Sequence, residues 1–248
     1  MIEVKGLHKN FGGKEVLRGL DLQVHRGETL TIIGGSGSGK SVLLKHIIGL
    51  LKPDDGSVLI EDVDITRLKQ KNLFGIIEQF GMVFQGGALF DSLSVGENVA
   101  FGIKEKDKMP RQDLRDIVEL SLQKVGLPGI SHLLPAELSG GMKKRVAIAR
   151  AIAKKPKVIM YDEPTTGLDP IMADVINELI IKVNESPEIT SIVITHDMVS
   201  AYKISQRIAM LYQGQIIETG TPDQIRSSQN PIVCQFIEGR SEGPIKIR

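Results

Sequence analysis

The pattern of apolar and polar residues predicts strands toward both ends of the chain and helices in its middle. Three continuous apolar runs that end in polar residues have the length typical of buried parallel strands. They are Thr29–Ile33, Val158–Asp162 and Ser191–His196. Shorter runs of β type lie near the N-terminus, at Ile2–Val4, Val16–Val24 and Val58–Ile60.

Two other segments carry apolar residues at the helical period. One extends from Ile171 to Val183 and follows Asp169-Pro170, a typical helix start, and the other extends from Leu114 to Val125. Residues 87–156 are predicted to be mainly helical, and strands and helices alternate on both sides of them. The pattern therefore predicts one α/β core with a helical insertion.

Composition narrows the class of protein. The 248 residues are 41% hydrophobic, which is enough apolar surface to form a folded core, and 31 basic residues balance 30 acidic ones to a net charge of +1. That balance argues against a nucleic-acid partner. The single cysteine, Cys234, cannot form a disulfide within these residues. No run is long enough to span a bilayer and Met1–Lys5 lacks the order of a signal peptide, so we expect a cytoplasmic protein.

A phosphate-binding loop follows the first buried strand. The residues match the pattern G-x-x-x-x-G-K-[ST], in which glycines let backbone N–H groups point inward at the start of a helix. The lysine of such a loop reaches the β and γ phosphates and the serine helps to hold Mg²⁺. The predicted nucleotide-binding residues are Gly34, Gly35, Ser36, Gly37, Ser38, Gly39, Lys40, Ser41 and Val42.

Two adjacent carboxylates end the second buried strand. Asp162 is placed to hold Mg²⁺, directly or through water, and Glu163 to polarise the attacking water. Neighbouring carboxylates repel each other unless a cation or a proton separates their roles. The alternative interpretation is that these acidic residues simply begin an ordinary loop after the strand. The phosphate loop in the same chain favours the catalytic interpretation.

A second glycine-rich segment, Leu138-Ser139-Gly140-Gly141-Met142, precedes a predicted helix, with Ser139 as its cap. A helix start of this kind also binds phosphate. If the two loops face different directions, one chain cannot close both on one nucleotide. A pair of chains, each offering this segment to the nucleotide of the other, solves the problem. The alternative is a plain capped helix after a turn at Pro135.

The order of these motifs resembles the nucleotide-binding subunit of ABC transporters over residues 1–240. The resemblance implies a P-loop NTPase (RecA-like) core at 1–86 and 157–240 with an N-terminal antiparallel β-subdomain, a helical subdomain at 87–156 and a tail at 241–248. It also assigns roles: Phe11 stacks on adenine, Gln85 senses Mg²⁺ and the permease, Thr166–Asp169 cross between protomers, and His196 contacts the γ-phosphate. Read alone, Phe11 is equally a buried aromatic, Gln85 an uninformative polar residue and His196 a structural histidine.

Residues Met82–Ala100 and Met142 are similar to the ATPases of Mla-type phospholipid transporters, since most importers carry glutamine in place of Met142. This resemblance implies a permease of the MlaE type, an MCE protein and often a small STAS-domain protein as partners. The permease contact is expected at 85–105, with Leu89, Phe90, Leu93 and Val95 either exposed to it or packed within their own domain. Lys143-Lys144-Arg145 are expected to form either a basic surface near nucleotide or partner or an ordinary solvated basic helix face.

The resulting hypothesis is an ATP-driven clamp of two copies, bound through the permease to the cytoplasmic face of the inner membrane. Glu163, His196, Gln85 and Lys40 are its expected catalytic residues. Ser41, Gln85 and Asp162 are the expected Mg²⁺ ligands, and Leu138, Ser139, Gly140, Gly141 and Asp169 join the ATP site. Alternatives are a soluble ABC-type ATPase such as that of iron–sulfur assembly, an importer ATPase for another small substrate, and a regulatory nucleotide sensor.

Overall fold

A computed structural model describes residues 1–104, 109–185 and 188–246. The chain forms two compact units, one from residues 1–77 with the chain from 192 onward, and the other from residues 78–191. The first unit begins with β1 (Ile2–Phe11), β2 (Lys14–Val24), β3 (Thr29–Ile33), α1 (Lys40–Ile47), β4 (Asp55–Ile60), β5 (Val63–Asp64) and α2 (Gln70–Ile77). The second holds β6 (Phe80–Val83), α3 (Val95–Lys104), α4 (Arg111–Lys124), α5 (Gly140–Ala153), β7 (Val158–Asp162) and α6 (Pro170–Asn184).

The chain returns to the first unit within β8 (Thr190–Ile194). It continues through α7 (Met198–Ile204), β9 (Arg207–Tyr212), β10 (Gln215–Gly220), α8 (Pro222–Arg226) and α9 (Pro231–Glu238). Two short 3-10 helices lie at Ile65–Arg67 and Pro135–Glu137. None of the described helices is both long and apolar enough to cross a bilayer.

The first unit combines an antiparallel sheet with a buried, mostly parallel one. The antiparallel sheet has the order β2-β1-β4-β5, with Ile2 opposite Val24 on one side and Ile60 on the other. In the other sheet β3 runs parallel to β9 and all five of its residues are buried. A continuous apolar run is what a strand covered on both faces requires, so this prediction is confirmed.

In the second unit β6 and β7 pair in parallel, with Phe80 opposite Val158, so that both strands end at the same edge. The predicted strand Val158–Asp162 matches β7. The third predicted strand has a different end, because β8 stops at Ile194 and Thr195 and His196 belong to the connection to α7. The predicted end at His196 lies two residues beyond β8, although the Thr195 backbone N–H still donates to the carbonyl of Ile32 in β3 at 3.3 Å.

Both predicted helices are present, and a side-chain cap marks the start of one of them, α6. Asp169 Oδ1 accepts hydrogen bonds from the backbone N–H of Ile171 and Met172, both at 3.0 Å, and so starts α6. Helix α4 covers the periodic segment that ends at Val125. The contact-based units group β6, β7 and α6 with the helical segment. The subdomain boundaries near 87 and 156 stay a prediction.

The C-terminal segment folds onto its own unit as far as the structure describes it. Gln235, which is buried in α9, accepts a hydrogen bond from the Ile245 backbone N–H at 2.6 Å and donates to the Ile245 carbonyl at 3.1 Å. Ile245 packs against a core cluster that includes Ile33 and Val233. The tail at 239–246 is therefore fixed by specific contacts within the chain.

Candidate nucleotide-binding site

The phosphate loop joins β3 to α1 in a conformation that only glycine adopts readily. Gly34, Gly37 and Gly39 have φ values of +151°, +74° and +111°. A Cβ atom on Gly34 would lie 2.2 Å from the carbonyl oxygen of Leu211, so backbone and not only side chains fills the space. The loop is thus held in a curled shape of the kind whose backbone N–H groups form an anion-binding concavity.

The groups lining this loop fit a triphosphate. Lys40 Nζ donates to the carbonyls of Gly34 at 2.7 Å and Gly35 at 3.0 Å, which holds its ammonium at the loop. The buried hydroxyl of Ser38 has no hydrogen-bond partner among the described residues. Helix α1 has no side-chain cap and no acidic residue in its first turn, so its N-terminal dipole favours an anion.

Other predicted residues of the first unit lie on or near its surface. Ser41 is exposed in the first turn of α1, and Val42 is half-buried with its carbonyl 2.7 Å from His46 Nδ1. Phe11 ends β1 with 46% of its surface exposed and Lys9 Nζ 5.5 Å from its ring centroid. His196 is exposed after β8. Exposure contradicts a core role for Phe11 and leaves both rings accessible to a ligand.

In the second unit Glu163 stands in a strained position directly after β7. Its φ of +50° is unusual for a residue other than glycine and costs about 1–3 kcal/mol. Its carboxylate Oε2 accepts a hydrogen bond from Thr166 Oγ1 at 3.0 Å. Asp162, the last residue of β7, is half-buried.

Helix α5 begins at the second glycine-rich segment, as predicted. Ser139 is extended and its hydroxyl accepts from the Met142 backbone N–H at 3.3 Å, which confirms the cap. Leu138 is buried, whereas Gly140 is exposed. A Cβ on Gly141 would lie 2.5 Å from Met172 Cε of α6, so this glycine makes room for a neighbouring helix.

The expectation of a solvated basic face after this segment is wrong for Lys144. Only 6% of its surface is exposed, and its Nζ donates to the carbonyls of Gln85 at 2.5 Å and Glu163 at 3.2 Å. Burial lowers the pKa of Lys144, while the charge of Glu163 opposes that shift. The side chain points inward because two backbone carbonyls replace the water it gives up.

Comparison with known proteins decides the family. The sequence matches the ABC transporter family over residues 17–166. It is 43% identical to the intermembrane phospholipid transport system ATP-binding protein MlaF of Haemophilus influenzae, over 100% of this chain and 94% of that one. The chain belongs to the ABC transporter family.

A second relative and a solved structure extend this comparison. A probable ribonucleotide transport ATP-binding protein of Mycobacterium leprae is 41% identical over 98% of this chain and 70% of its own length. A dimeric ATP-binding cassette solved with ADP and Pi has a TM-score of 0.82 at 32% identity, covering 90% of this chain and 99% of that one. The predicted fold, an ABC cassette with a P-loop core and an antiparallel β-subdomain, is therefore confirmed.

Members of the ABC family bind ATP with Mg²⁺, and the donor atoms of this chain suit that ion. Ser41, Gln85 and Asp162 offer hydroxyl, amide and carboxylate oxygens, which are the hard ligands that Mg²⁺ prefers. Across the described residues there is no cluster of three or more His, Cys, Asp or Glu side chains able to hold a metal. Mg²⁺ in nucleotide sites usually keeps waters and substrate phosphates as ligands and so needs few protein groups.

The segment after β6, expected to face the permease of an ABC transporter, is held by its backbone. Arg150 donates to the carbonyls of Gly87 and Ala88, both at 2.7 Å. The buried Asn98 side chain bonds the N–H and the carbonyl of Phe90, at 2.8 and 3.1 Å, and also reaches the carbonyls of Leu93 and Ser94. These contacts fix the backbone path of residues 87–94.

The side chains of that segment divide between surface and interior. Phe90 is 43% exposed and its ring contacts that of Phe101, which is 40% exposed, with centroids 4.4 Å apart. Leu89 and Leu93 are half-buried. Val95 is fully buried, so the expectation that it contributes to an exposed apolar surface is wrong. The part of the expected contact at 105–108 lies outside the described residues.

Sequence reasoning missed Lys144 and Arg150 and gave Thr166 only a loop role. Each acts through a contact with a residue of another element or turn, which local periodicity does not report. One signal was available, for Arg150 alone: this residue directly follows the apolar run Val146–Ala149 within α5. A charged residue within an apolar stretch of helix indicates a paired, buried charge.

Proposed function

We propose that this chain is the ATP-hydrolysing subunit of a membrane transporter that moves phospholipid or a related lipid between membranes. The observation that carries the proposal is the phosphate loop, with its left-handed glycines and Lys40 held at its centre, in a chain 43% identical to an intermembrane phospholipid transport ATPase. Folds of this class support many activities, so the loop and the full-length relative together are required.

In this proposal the residues of each unit have distinct roles. Lys40 stabilises negative charge on the β and γ phosphates, and Glu163 orients the water that attacks the γ-phosphate. Thr166 holds the Glu163 carboxylate at 3.0 Å and so limits its rotation. His196 contacts the γ-phosphate, and Phe11 packs against adenine. Ser41, Gln85 and Asp162 would hold Mg²⁺, which when bound would supply positive charge to offset that of the phosphates.

Two copies of the chain act together. Leu138, Ser139, Gly140 and Gly141 of one copy complete the ATP site of the second, and the Asp169 loop lies at the seam. The exposed Ser139 and Gly140 at the start of α5 support this arrangement, because an N-terminal helix dipole attracts phosphate. ATP closes the pair and hydrolysis releases it, which alternates the permease between two states.

The chain acts at the cytoplasmic face of the inner membrane through an integral-membrane permease of the MlaE type. The exposed pair Phe90 and Phe101 is the proposed contact, since an amphipathic helix buries aromatic side chains of this kind. An MCE protein and a small STAS-domain protein complete the assembly. Co-purification of the tagged chain with a membrane protein tests this proposal, and loss of that co-purification in Phe90→Asp identifies the contact.

Glu163→Gln tests the mechanism. We expect it to bind ATP with little change, to lose at least about a hundredfold in turnover and to accumulate an ATP-dependent dimer, seen by size-exclusion chromatography. Glu178→Gln, an exposed glutamate on α6, is the matched control and should keep wild-type turnover. Turnover at the wild-type rate in Glu163→Gln contradicts the role of this carboxylate.

The cargo is tested on the assembled complex. Extraction from membranes followed by mass spectrometry of bound molecules should yield phospholipid, in agreement with the Haemophilus relative. The name of the Mycobacterium leprae relative favours a second candidate, ribonucleotide transport. Recovery of a ribonucleotide other than adenine nucleotide in place of lipid supports that candidate and contradicts the lipid proposal.

A further inference from the structure

Lys144 contacts both the segment proposed to meet the permease and the residue proposed to activate water. Its Nζ lies 2.5 Å from the carbonyl oxygen of Gln85 and 3.2 Å from that of Glu163. Gln85 follows β6 and Glu163 follows β7, and these parallel strands end at the same edge of the second unit. One ammonium group therefore bridges the two strand ends.

Burial of the Lys144 ammonium group costs free energy unless its N–H groups donate hydrogen bonds. Moving a charged amine out of water costs several kcal/mol, and hydrogen bonds to carbonyls recover much of that. Lys144 is 6% exposed, and the nearby negative charge of Glu163 stabilises it further. A methionine of similar length would fill the same space without charge, so packing alone does not account for a lysine here.

Neighbouring cations on α5 show that the bridge is specific. Arg150 bonds the carbonyls of Gly87 and Ala88, and Arg145 bonds those of Val125 and Gly126. These contacts hold loops against the helix. Lys144, by contrast, bonds the carbonyl of Glu163, whose carboxylate is in turn held by Thr166. Lys144 therefore joins the Gln85 segment to the Glu163 turn through direct hydrogen bonds.

We propose that Lys144 is a positioning residue that couples the Gln85 segment to Glu163. The proposal rests on the function given above, in which Glu163 orients the attacking water. When the permease holds the Gln85 segment in place, Lys144 keeps the strained Glu163 turn in its productive position. Release of that segment relaxes the turn. Lys144 itself does not contact ATP in this scheme.

Steady-state kinetics of the full chain test the proposal. For Lys144→Met we expect kcat to fall about tenfold, because a small displacement of a catalytic group has an effect of this size or larger. The KM for ATP should stay within about twofold, since the phosphate loop is unaltered. Lys144→Arg, which keeps a cation and its donors, should recover most of the lost kcat. Lys143→Met on the same helix is the matched control and should behave as wild type.

A double variant separates positioning from general weakening. In the Glu163→Gln background Lys144→Met should reduce the residual rate by less than about twofold, because the group it positions is already disabled. A further tenfold loss would overturn the proposal, as would wild-type kcat in Lys144→Met or a KM that rises in proportion to the fall in kcat. If Lys144→Met loses its cooperative melting transition, Lys144→Gln carries the same test.

Hydrogen–deuterium exchange provides a readout independent of turnover. Peptides covering 84–88 and 163–168 should both exchange faster in Lys144→Met than in wild type or in Lys143→Met. Faster exchange in only one of the two peptides would contradict a bridge. The single variant Glu163→Gln reports separately on the proposed function: if it keeps wild-type turnover, the role of Glu163 is wrong, whereas failure of the Lys144 variants alone leaves that role intact.

Discussion

The phosphate loop before α1 and the Ser139 segment before α5 both place glycines ahead of a helix, yet their backbones differ. At α1 the residue before the helix is Gly39, with φ of +111° and no side-chain cap. At α5 that residue is Ser139, which is extended and caps the Met142 N–H with its hydroxyl. Similar sequence patterns thus produce a curled anion cradle in one case and a regular capped helix in the other.

The glycines of the two segments meet different physical needs. Gly34 has a left-handed φ and would place a Cβ 2.2 Å from a backbone carbonyl, which cannot move aside. Gly141 is an ordinary helical residue whose Cβ would meet the end of the Met172 side chain at 2.5 Å. The first glycine determines backbone shape, and the second provides space for a flexible neighbour. Substitutions at four positions, two in each segment, test this comparison of the phosphate loop with the Ser139 segment.

Lys40→Ala should have the largest effect because it removes the cation held at the centre of the cradle. We expect turnover to fall at least about a hundredfold and ATP binding to weaken, with little change in thermal stability. Fluorescence titration with a nucleotide analogue and a steady-state ATPase assay measure the two effects. Lys45→Ala, an exposed lysine on the same helix, is the control; equal losses in both variants would show that net charge matters rather than position.

Gly34→Ala should be destabilising as well as inactive. The left-handed backbone and the clash with the Leu211 carbonyl together cost about 2 kcal/mol or more, which thermal melting detects. Gly35→Ala is the matched control, because its Cβ would meet nothing within 4 Å and its φ is not positive. Equal melting temperatures for the two variants would contradict the difference drawn between these glycines.

Gly141→Ala should have a smaller effect that a second change reverses. The added methyl group displaces Met172, at a cost of about 1 kcal/mol that better helix propensity partly offsets. In the Met172→Ala background the substitution should become neutral or stabilising. Gly140→Ala, whose nearest neighbour is a Leu168 methyl at 3.9 Å, should be neutral without any second change. Persistence of the loss in the double variant would indicate a backbone cause.

Ser139 substitutions should have the smallest effect on folding and separate two roles of one hydroxyl. Ser139→Ala removes a helix cap and should lower the free energy of unfolding by about 1 kcal/mol. Ser139→Asp restores a cap of equal quality but adds a negative charge, which would repel a triphosphate. We therefore expect Asp to recover the melting temperature and to block ATP-dependent dimerisation. Normal dimerisation of Ser139→Asp would argue against phosphate at this helix start.

Much of the fold could be predicted from the sequence because its signals are local. Buried strands such as β3 show as continuous apolar runs, and Ser139 and Asp169 mark helix starts through bonds to residues two or three positions on. Helix α2 is absent from the prediction, since it has only eight residues and none of them is buried. Short exposed helices give little periodic signal.

The interior contacts of the site could not be predicted because they depend on distant parts of the chain. Lys144 lies 59 residues from Gln85, and Arg150 lies 62 from Ala88. A lysine followed by an arginine on a helix is typical of a solvated face, and only the arrival of carbonyls from another segment makes burial favourable. The paired carboxylates indicated the role of Glu163 and the family resemblance that of Gln85, but neither indicated the residue that joins them.

The hydrogen bonds from the Arg150 and Asn98 side chains to backbone groups have a consequence for evolution. Between them they bond the main chain of Gly87, Ala88, Phe90, Leu93 and Ser94. Because these hydrogen bonds are made to peptide groups, most side chains along residues 87–94 can be substituted without a change in backbone conformation. In the proposed assembly, the exposed side chains of this segment can therefore change to fit a different membrane subunit while its backbone path and the nucleotide site stay the same.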